Sequence, residues 1–250
     1  MIEKIYLIGM GPGDIKYLTL EAIEVIRKLK LFLIPAKTGK KEALTLKRKE
    51  IIAQIKDKED FYFLEIPFPE RKKTGAYEEE VQRWRGSKAQ VLKEVLQKET
   101  EKEAGFLVWG DPSLYDGHIE IFKKIQKELN FSLEVIPGIS AFQILSAKHQ
   151  ISLTEIAGTL TFTTPRGLKG LKSIDHHVVV FLDNYESYKN FAFSGLKIYW
   201  GAYLGSSEEV LLAGNLKEVL SKLITLRRNL RKEKGFIMET YLLVPERSET

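Results

Sequence analysis

Apolar positions along the first 140 residues come in short blocks, separated by longer stretches in which they recur at helical spacing. Lys4 to Ile8 is a mainly apolar run too short for a helix and predicts a buried strand. Thr19 can cap a helix carrying Leu20, Ile23, Ile26 and Leu29 on one face. Leu31 to Ile34 predicts a second strand ending at Pro35, Glu42 to Ile55 a helix, and Phe61 to Ile66 a third strand stopped by Pro67. A long polar helix follows over Tyr77 to Lys98, then a strand at Phe106 to Trp109, a helix in the Asp116 to Leu129 region, and a fifth strand from Leu133 to Ile136. Strands alternating with helices imply a mainly parallel sheet covered on both faces.

Beyond about Gln150 the strand-like blocks lie closer together, at Thr159 to Thr163, His177 to Leu182, Lys197 to Leu204 and Phe236 to Val244. The clearest helix there is Leu216 to Leu226. This spacing predicts an α/β lobe with a mixed sheet over residues 151–250, following an α/β lobe over 1–150. No Pro/Gly/Ser linker lies near Ile151-Ser152, so two tightly packed lobes are expected.

Composition narrows the function classes. Of 250 residues, 44% are hydrophobic and 29% charged, the balance of a globular protein with a sizeable core. The absence of cysteine excludes disulfides, thiolate-bound metal and cysteine nucleophiles, and makes the cytoplasm the default location. The start MIEKIYLIGMGPGD enters a strand at once and does not read as a signal peptide. No stretch reaches the roughly 20 apolar residues of a membrane span. A net charge of +5, spread along the chain, favours a polyanionic ligand over nucleic acid, whose binders concentrate their bases. Lys47-Arg48-Lys49 and Arg227-Arg228 alternate with acids at helical spacing and read as solvated helix faces.

Three loops carry candidate chemistry. Gly9-Met10-Gly11-Pro12-Gly13-Asp14 follows the first strand, where glycines permit a sharp turn and close approach of backbone to a ligand. Asp14 occupies the place where a dinucleotide fingerprint wants a small residue, so a dinucleotide is disfavoured; a plain strand-to-helix turn remains the other reading. Gly110-Asp111-Pro112-Ser113-Leu114-Tyr115-Asp116 follows the fourth strand, with Asp111 able to accept hydrogen bonds, and is otherwise a turn with an Asp cap. Pro137-Gly138-Ile139-Ser140-Ala141 follows the fifth strand in the same register and opens a helix. Three loops at one edge of a parallel sheet should converge, and ligands bind outside that edge. His118, His149, His176 and His177 are too scattered for a metal set and read as core or surface residues; Trp84, Trp109 and Trp200 read as core or as paving of a cleft.

Together the glycine loop, the GDP loop and the PGIS loop resemble the signature of tetrapyrrole methylases, over essentially the whole chain. VWGDPSLYD at 108–116, YWGAYLG at 199–205, METYLL at 238–243, and Pro67 to Arg71 with Thr74, Tyr77 and Trp84 are similar to the deacetylating precorrin-6A synthase branch. Gly167 and Asn184 depart from it, standing where an arginine and a glycine are expected. The resemblance implies the two-lobed class III methyltransferase fold, a homodimer, and S-adenosylmethionine held between the lobes beside an acidic tetrapyrrole. It also implies methylation at carbon 1 of precorrin-5 with loss of acetate, with no metal, nucleic acid or membrane partner. Carried onto this chain, it puts Pro12, Gly110, Asp111, Leu114, Ser140, Ala141, Leu182, Tyr203 and Ala213 around the cofactor. Tyr115, Asp116 and Arg71 are the candidate catalytic and substrate-binding residues by position and type; for Asp116 a helix-capping role is the alternative. Another tetrapyrrole methylase, a diphthine synthase-like enzyme, and a tetrapyrrole- or nucleotide-binding regulator are the competing readings.

Overall fold

A computed structural model of the chain describes residues 2–36, 39, 42–56, 60–71 and 76–246. It divides into two compact units, Met1–Ser140 and Ala141–Thr250.

In the first unit, β1 (Lys4–Gly9), β2 (Leu31–Pro35), β3 (Tyr62–Ile66), β4 (Glu103–Val108) and β5 (Ser132–Ile136) form one sheet in the order β3-β2-β4-β1-β5. Every pairing in it is parallel. The central strands β1, β2 and β4 are buried almost end to end, which is why they read as apolar runs, whereas the edge strands β3 and β5 are largely open to solvent. Helices α1 (Leu20–Lys28) and α2 (Glu42–Ile55) contribute Ala22, Ile26, Ile51 and Ile52 to the core on one face. On the other, α3 (Tyr77–Lys98) and α4 (His118–Gln126) contribute Leu92, Leu96, Ile121 and Phe122. Thr19 caps α1 by accepting from the Ala22 amide at 3.1 Å.

In the second unit, β6 (Leu160–Thr163), β7 (His177–Phe181), β8 (Leu196–Ala202), β9 (Val210–Asn215) and β10 (Glu239–Pro245) are ordered β6-β7-β10-β8-β9. Only β6–β7 is parallel; the other three pairings are antiparallel, giving the mixed sheet expected. Helix α5 (Ala141–His149) packs on β8 and β10 and so belongs to this unit, ten residues before the change in sequence texture. The unit also contains the short α6 (Pro165–Lys169) and α7 (Leu216–Lys234), which runs eight residues past the predicted Leu226. No helix among the described residues is long and apolar enough to cross a membrane.

Each of the two basic runs sends one arginine into the core, while Lys47, Lys49 and Arg228 stay at least partly open to solvent, as their alternation with acids suggested. Arg48 is buried and donates to the Leu107 and Leu44 carbonyls, both at 3.0 Å. Arg227, 4% exposed, is gripped by Glu239 at 2.6 and 2.8 Å, by the Asp183 carbonyl at 2.8 Å and by Glu186 at 3.2 Å. Each guanidinium can enter the core because its donors meet backbone or carboxylate oxygens there.

Candidate functional site

In the first unit the three loops meet at the C-terminal end of the sheet, on the side bounded by edge strand β5, because β4, β1 and β5 are adjacent and parallel. Their glycines make the meeting possible. A Cβ on Gly138 would lie 2.2 Å from the Gly110 carbonyl oxygen and 2.8 Å from Gly9 Cα, and one on Gly9 would lie 2.6 Å from the Gly138 backbone. The loops after β1 and β4 are further tied by Gly110 N to Gly11 O at 2.8 Å. Gly13 rests on the Trp109 ring, whose other neighbour is the Arg48 guanidinium, 5.6 Å from the ring centroid. The buried Trp109 indole N–H has no partner among the described residues.

Asp111 locks this arrangement. One carboxylate oxygen accepts from the Gly138 amide at 2.9 Å; the other accepts from the Ser113 amide at 2.8 Å and from the Ser113 hydroxyl. Burial pushes its pKa up, but these hydrogen bonds outweigh that and hold the carboxyl below the usual range. Gly110, with φ of +65°, leaves open room: the nearest atoms to an added Cβ are Ser140 Cα and Oγ, at 3.8 and 3.9 Å. Pro12 and Leu114 are half-buried, and Ser140 is buried just before α5.

Beyond the GDP loop, Tyr115 is 47% exposed with φ of +57°, and burial of part of its ring raises its hydroxyl pKa, so it is protonated and can donate. Asp116 accepts from the His118 amide at 3.0 Å and faces His118 Nδ1 at 2.6 Å, which closes a turn one residue ahead of Gly117, the N-cap of α4; it is not the helix cap itself. His118 Nε2 lies 3.2 Å from the Lys88 amine, which sits 4.3 Å from the Trp84 ring centroid and 4.7 Å from that of Phe68. An ammonium only donates, so Nε2 accepts and the ring proton sits on Nδ1, pointing at Asp116. Burial pulls the His118 pKa down against its bond to Asp116, with Lys88 and Arg48 pushing the same way as burial. His118 is therefore neutral at pH 7 and a core residue.

The arginines after β3 and on α3 differ in their surroundings. Arg71 follows β3, two strands from β4, with its guanidinium 5.0 Å from the Tyr77 ring centroid. Arg83 is paired with Glu79 at 3.3 Å. Arg85 lies directly over Gly117, where an added Cβ would come within 2.9 Å of the guanidinium, beside Tyr115 and Asp116. Arg83 and Arg85 were expected only as further bases on the helix after Arg71, since nothing in the spacing ties α3 to the 115–117 turn. Trp84 joins α3 to the segment after β3 by donating to the Pro69 carbonyl at 2.7 Å. Thr74 lies outside the described residues.

In the second unit, β7 and β8 run the same way, since β10 is antiparallel to both. Leu182 and Tyr203 each follow the last residue of these strands, at the same sheet end, with φ of +58° and +49°. Leu182 is 63% exposed there; the Tyr203 hydroxyl is tied to the Phe236 carbonyl at 2.5 Å. Ala213 lies apart from them, in β9 opposite Tyr199 of β8. Among the described residues no group of three or more His, Asp or Glu is placed to hold a metal ion.

Residues 4–220 match the family of Tetrapyrrole (Corrin/Porphyrin) Methylases. The chain is 34% identical to a precorrin-6A synthase [deacetylating] from Sinorhizobium sp over 248 residues, 97% of this chain and 95% of that protein. Among solved structures it is similar to a cobalamin synthesis related protein (CobF) from Corynebacterium diphtheriae, with TM-score 0.80 and 32% identity over 98% of this chain and 99% of that one. A uroporphyrin-III C-methyltransferase from Thermus thermophilus, complexed with S-adenosylhomocysteine, shares the fold with TM-score 0.60 and 15% identity, over 96% of this chain and 97% of that one.

Proposed function

Since the chain belongs to the tetrapyrrole (corrin/porphyrin) methylases, we propose that it is the deacetylating C-methyltransferase of precorrin-5. In this reading it methylates carbon 1 and releases acetate, giving precorrin-6A and S-adenosylhomocysteine. The observation that carries it is the full-length 34% identity to a precorrin-6A synthase [deacetylating]. A homodimer in the cytoplasm belongs to the same reading.

S-adenosylmethionine, when bound, supplies an electrophilic methyl group. Its fit to this chain is supported by the room over Gly110 and by the unpartnered Trp109 indole N–H beside the loop. Pro12, Gly110, Leu114 and Ser140 of the first unit would contact it. Asp111 acts differently from a free anchor: both its oxygens are engaged within the loops, so it shapes the cradle.

On the substrate, water adds to the acetyl carbonyl, and a base must take its proton. Asp116 suits that role, because His118 orients one carboxylate oxygen and leaves the other without a hydrogen bond among the described residues. Tyr115, kept protonated, donates to the oxyanion of the tetrahedral adduct. Cleavage of the carbon–carbon bond then releases acetate, and the electron pair left at carbon 1 takes the methyl group, so the remaining task is alignment. Arg71 and Arg85 meet the acidic side chains of the macrocycle, for which a planar guanidinium is suited. Incubation with precorrin-5 and methyl-labelled cofactor should yield acetate and labelled precorrin-6A in equal amounts. Methylation without acetate would assign the protein to another methylase of the family.

A further inference from the structure

The second unit also holds a cavity of about 460 Å3 between the loop after β7 and one face of α7. Its floor and its loop are held by buried hydrogen bonds. Arg227 forms the floor, with its donors committed to Glu239, Glu186 and the Asp183 carbonyl. Asp183, itself buried, pins the loop by accepting from the Tyr185 amide at 2.8 Å, the Ser187 amide at 2.7 Å and the Tyr241 hydroxyl at 2.6 Å. Glu186 is held in the left-handed region with φ of +56°.

The mouth is basic beyond what its own acids neutralise. Arg228 and Arg231 share one face of α7 with Ile224, and Lys232 follows at the same opening. Lys189 is paired with Glu186, and Arg227 with Glu239, but Arg228, Arg231 and Lys232 have no ion pair among the described residues. Cations three and four residues apart on a helix repel each other. The helix dipole favours cations only in the last turn, which covers Arg231 and Lys232 but not Arg228. Opposite them stand the Asn184 amide and the Tyr185 ring, 73% exposed, with Lys169 5.5 Å from the ring centroid.

We infer that this cavity binds a small polyanion, whose clustered oxygens are met by Arg228, Arg231 and Lys232 while Tyr185 flanks them. The ligand class is a polyphosphate or a polycarboxylate, and the site does not depend on the methyl-transfer reading. Calorimetry with inorganic tripolyphosphate and, separately, benzenehexacarboxylate tests it on the full chain in dilute salt. Wild type should give saturable one-to-one binding with at least one of them, and the tighter ligand identifies the source chemistry. The double variant Arg228→Ala/Arg231→Ala should weaken that binding at least tenfold, with a melting temperature that does not fall, because both side chains are exposed and their mutual repulsion is relieved. Lys217→Ala/Lys222→Ala, which removes the same charge from α7 outside the cavity, should retain the affinity. Absence of saturable binding in wild type, or an equal loss in both double variants, overturns the inference.

Discussion

At the scale of single residues, two carboxylates of one loop have different tasks because their partners differ. Asp111 spends both oxygens on backbone and serine donors of two converging loops. Asp111→Ala leaves the Gly138 amide unpaired, so cofactor affinity should fall by about 1–3 kcal/mol, the cost of an unmade hydrogen bond in a part-buried site. Titration of the folded variant with S-adenosylhomocysteine checks this; unchanged affinity would show that the loops hold their shape without it. Asp116 instead leans on His118, whose folded pKa lies below the ordinary 6.5. The unfolded chain therefore takes up the proton first as pH falls. The stability contributed by neutral His118 is complete above pH 6.5 and is lost as pH drops below it towards the folded value. Urea unfolding should show wild type losing up to about 1.4 kcal/mol per pH unit in that window relative to His118→Asn, which keeps a donor for Asp116 but does not titrate. Parallel curves for the two proteins would contradict the buried neutral ring. A turn capped by Asp111 was open in the sequence, but the distant partners of the two sites, Gly138 and Lys88, were not readable from it. A lone histidine two residues after an aspartate carries no sign of the lysine, 30 positions earlier, that fixes its tautomer.

At the scale of elements, the parallel sheet was legible because its central strands carry short apolar runs that end at glycine or proline signals, although β4 begins at Glu103, three residues before the run that marks it. Strand β9 was missed: its residues Val210–Asn215 bury only Leu212 fully, so neither an apolar run nor clean alternation marks it. The end of α7 was missed because its last turns are charged and lack an apolar stripe, apart from the buried Leu230. The meeting of the three loops was legible from equivalent positions after equivalent strands, but its tolerance was not. At Gly138 an added methyl group faces two backbones, at 2.2 and 2.8 Å, and neither can turn aside as a side chain would. Gly138→Ala should cost at least the roughly 1–3 kcal/mol of an overpacked core, and should abolish cofactor binding in whatever fraction folds. Gly86, inside α3, is the contrast. Its nearest atom to an added Cβ is the flexible Lys124 amine at 3.7 Å, so Gly86→Ala should stabilise by about 0.4–1 kcal/mol through loss of unfolded-state freedom. Guanidinium unfolding of both variants against wild type measures the two signs together.

At the scale of the whole molecule, the charge balance separates the two ligands of the proposed reaction. The protein carries a formal +5 and a pI near 9.1, with its cations distributed over both units. A precorrin brings several acetate and propionate carboxylates, so the field of the whole chain draws it in before any contact forms. S-adenosylmethionine carries a sulfonium, an ammonium and one carboxylate, and gains nothing from a positive field. Salt shortens the screening length from about 14 Å at 0.05 M to about 4 Å at 0.5 M, which removes long-range attraction but leaves short contacts in the cradle largely intact. Raising sodium chloride across that range should lower kcat/KM for the tetrapyrrole by about tenfold, the low end of electrostatic steering. Over the same range the cofactor dissociation constant should stay level or fall slightly, since the repulsion is screened as well. Steady-state kinetics at saturating cofactor and calorimetry with cofactor alone give the two quantities. A rise in the cofactor constant matching the loss of kcat/KM would locate the salt effect in the protein's stability or fold, and not in the encounter with an acidic substrate.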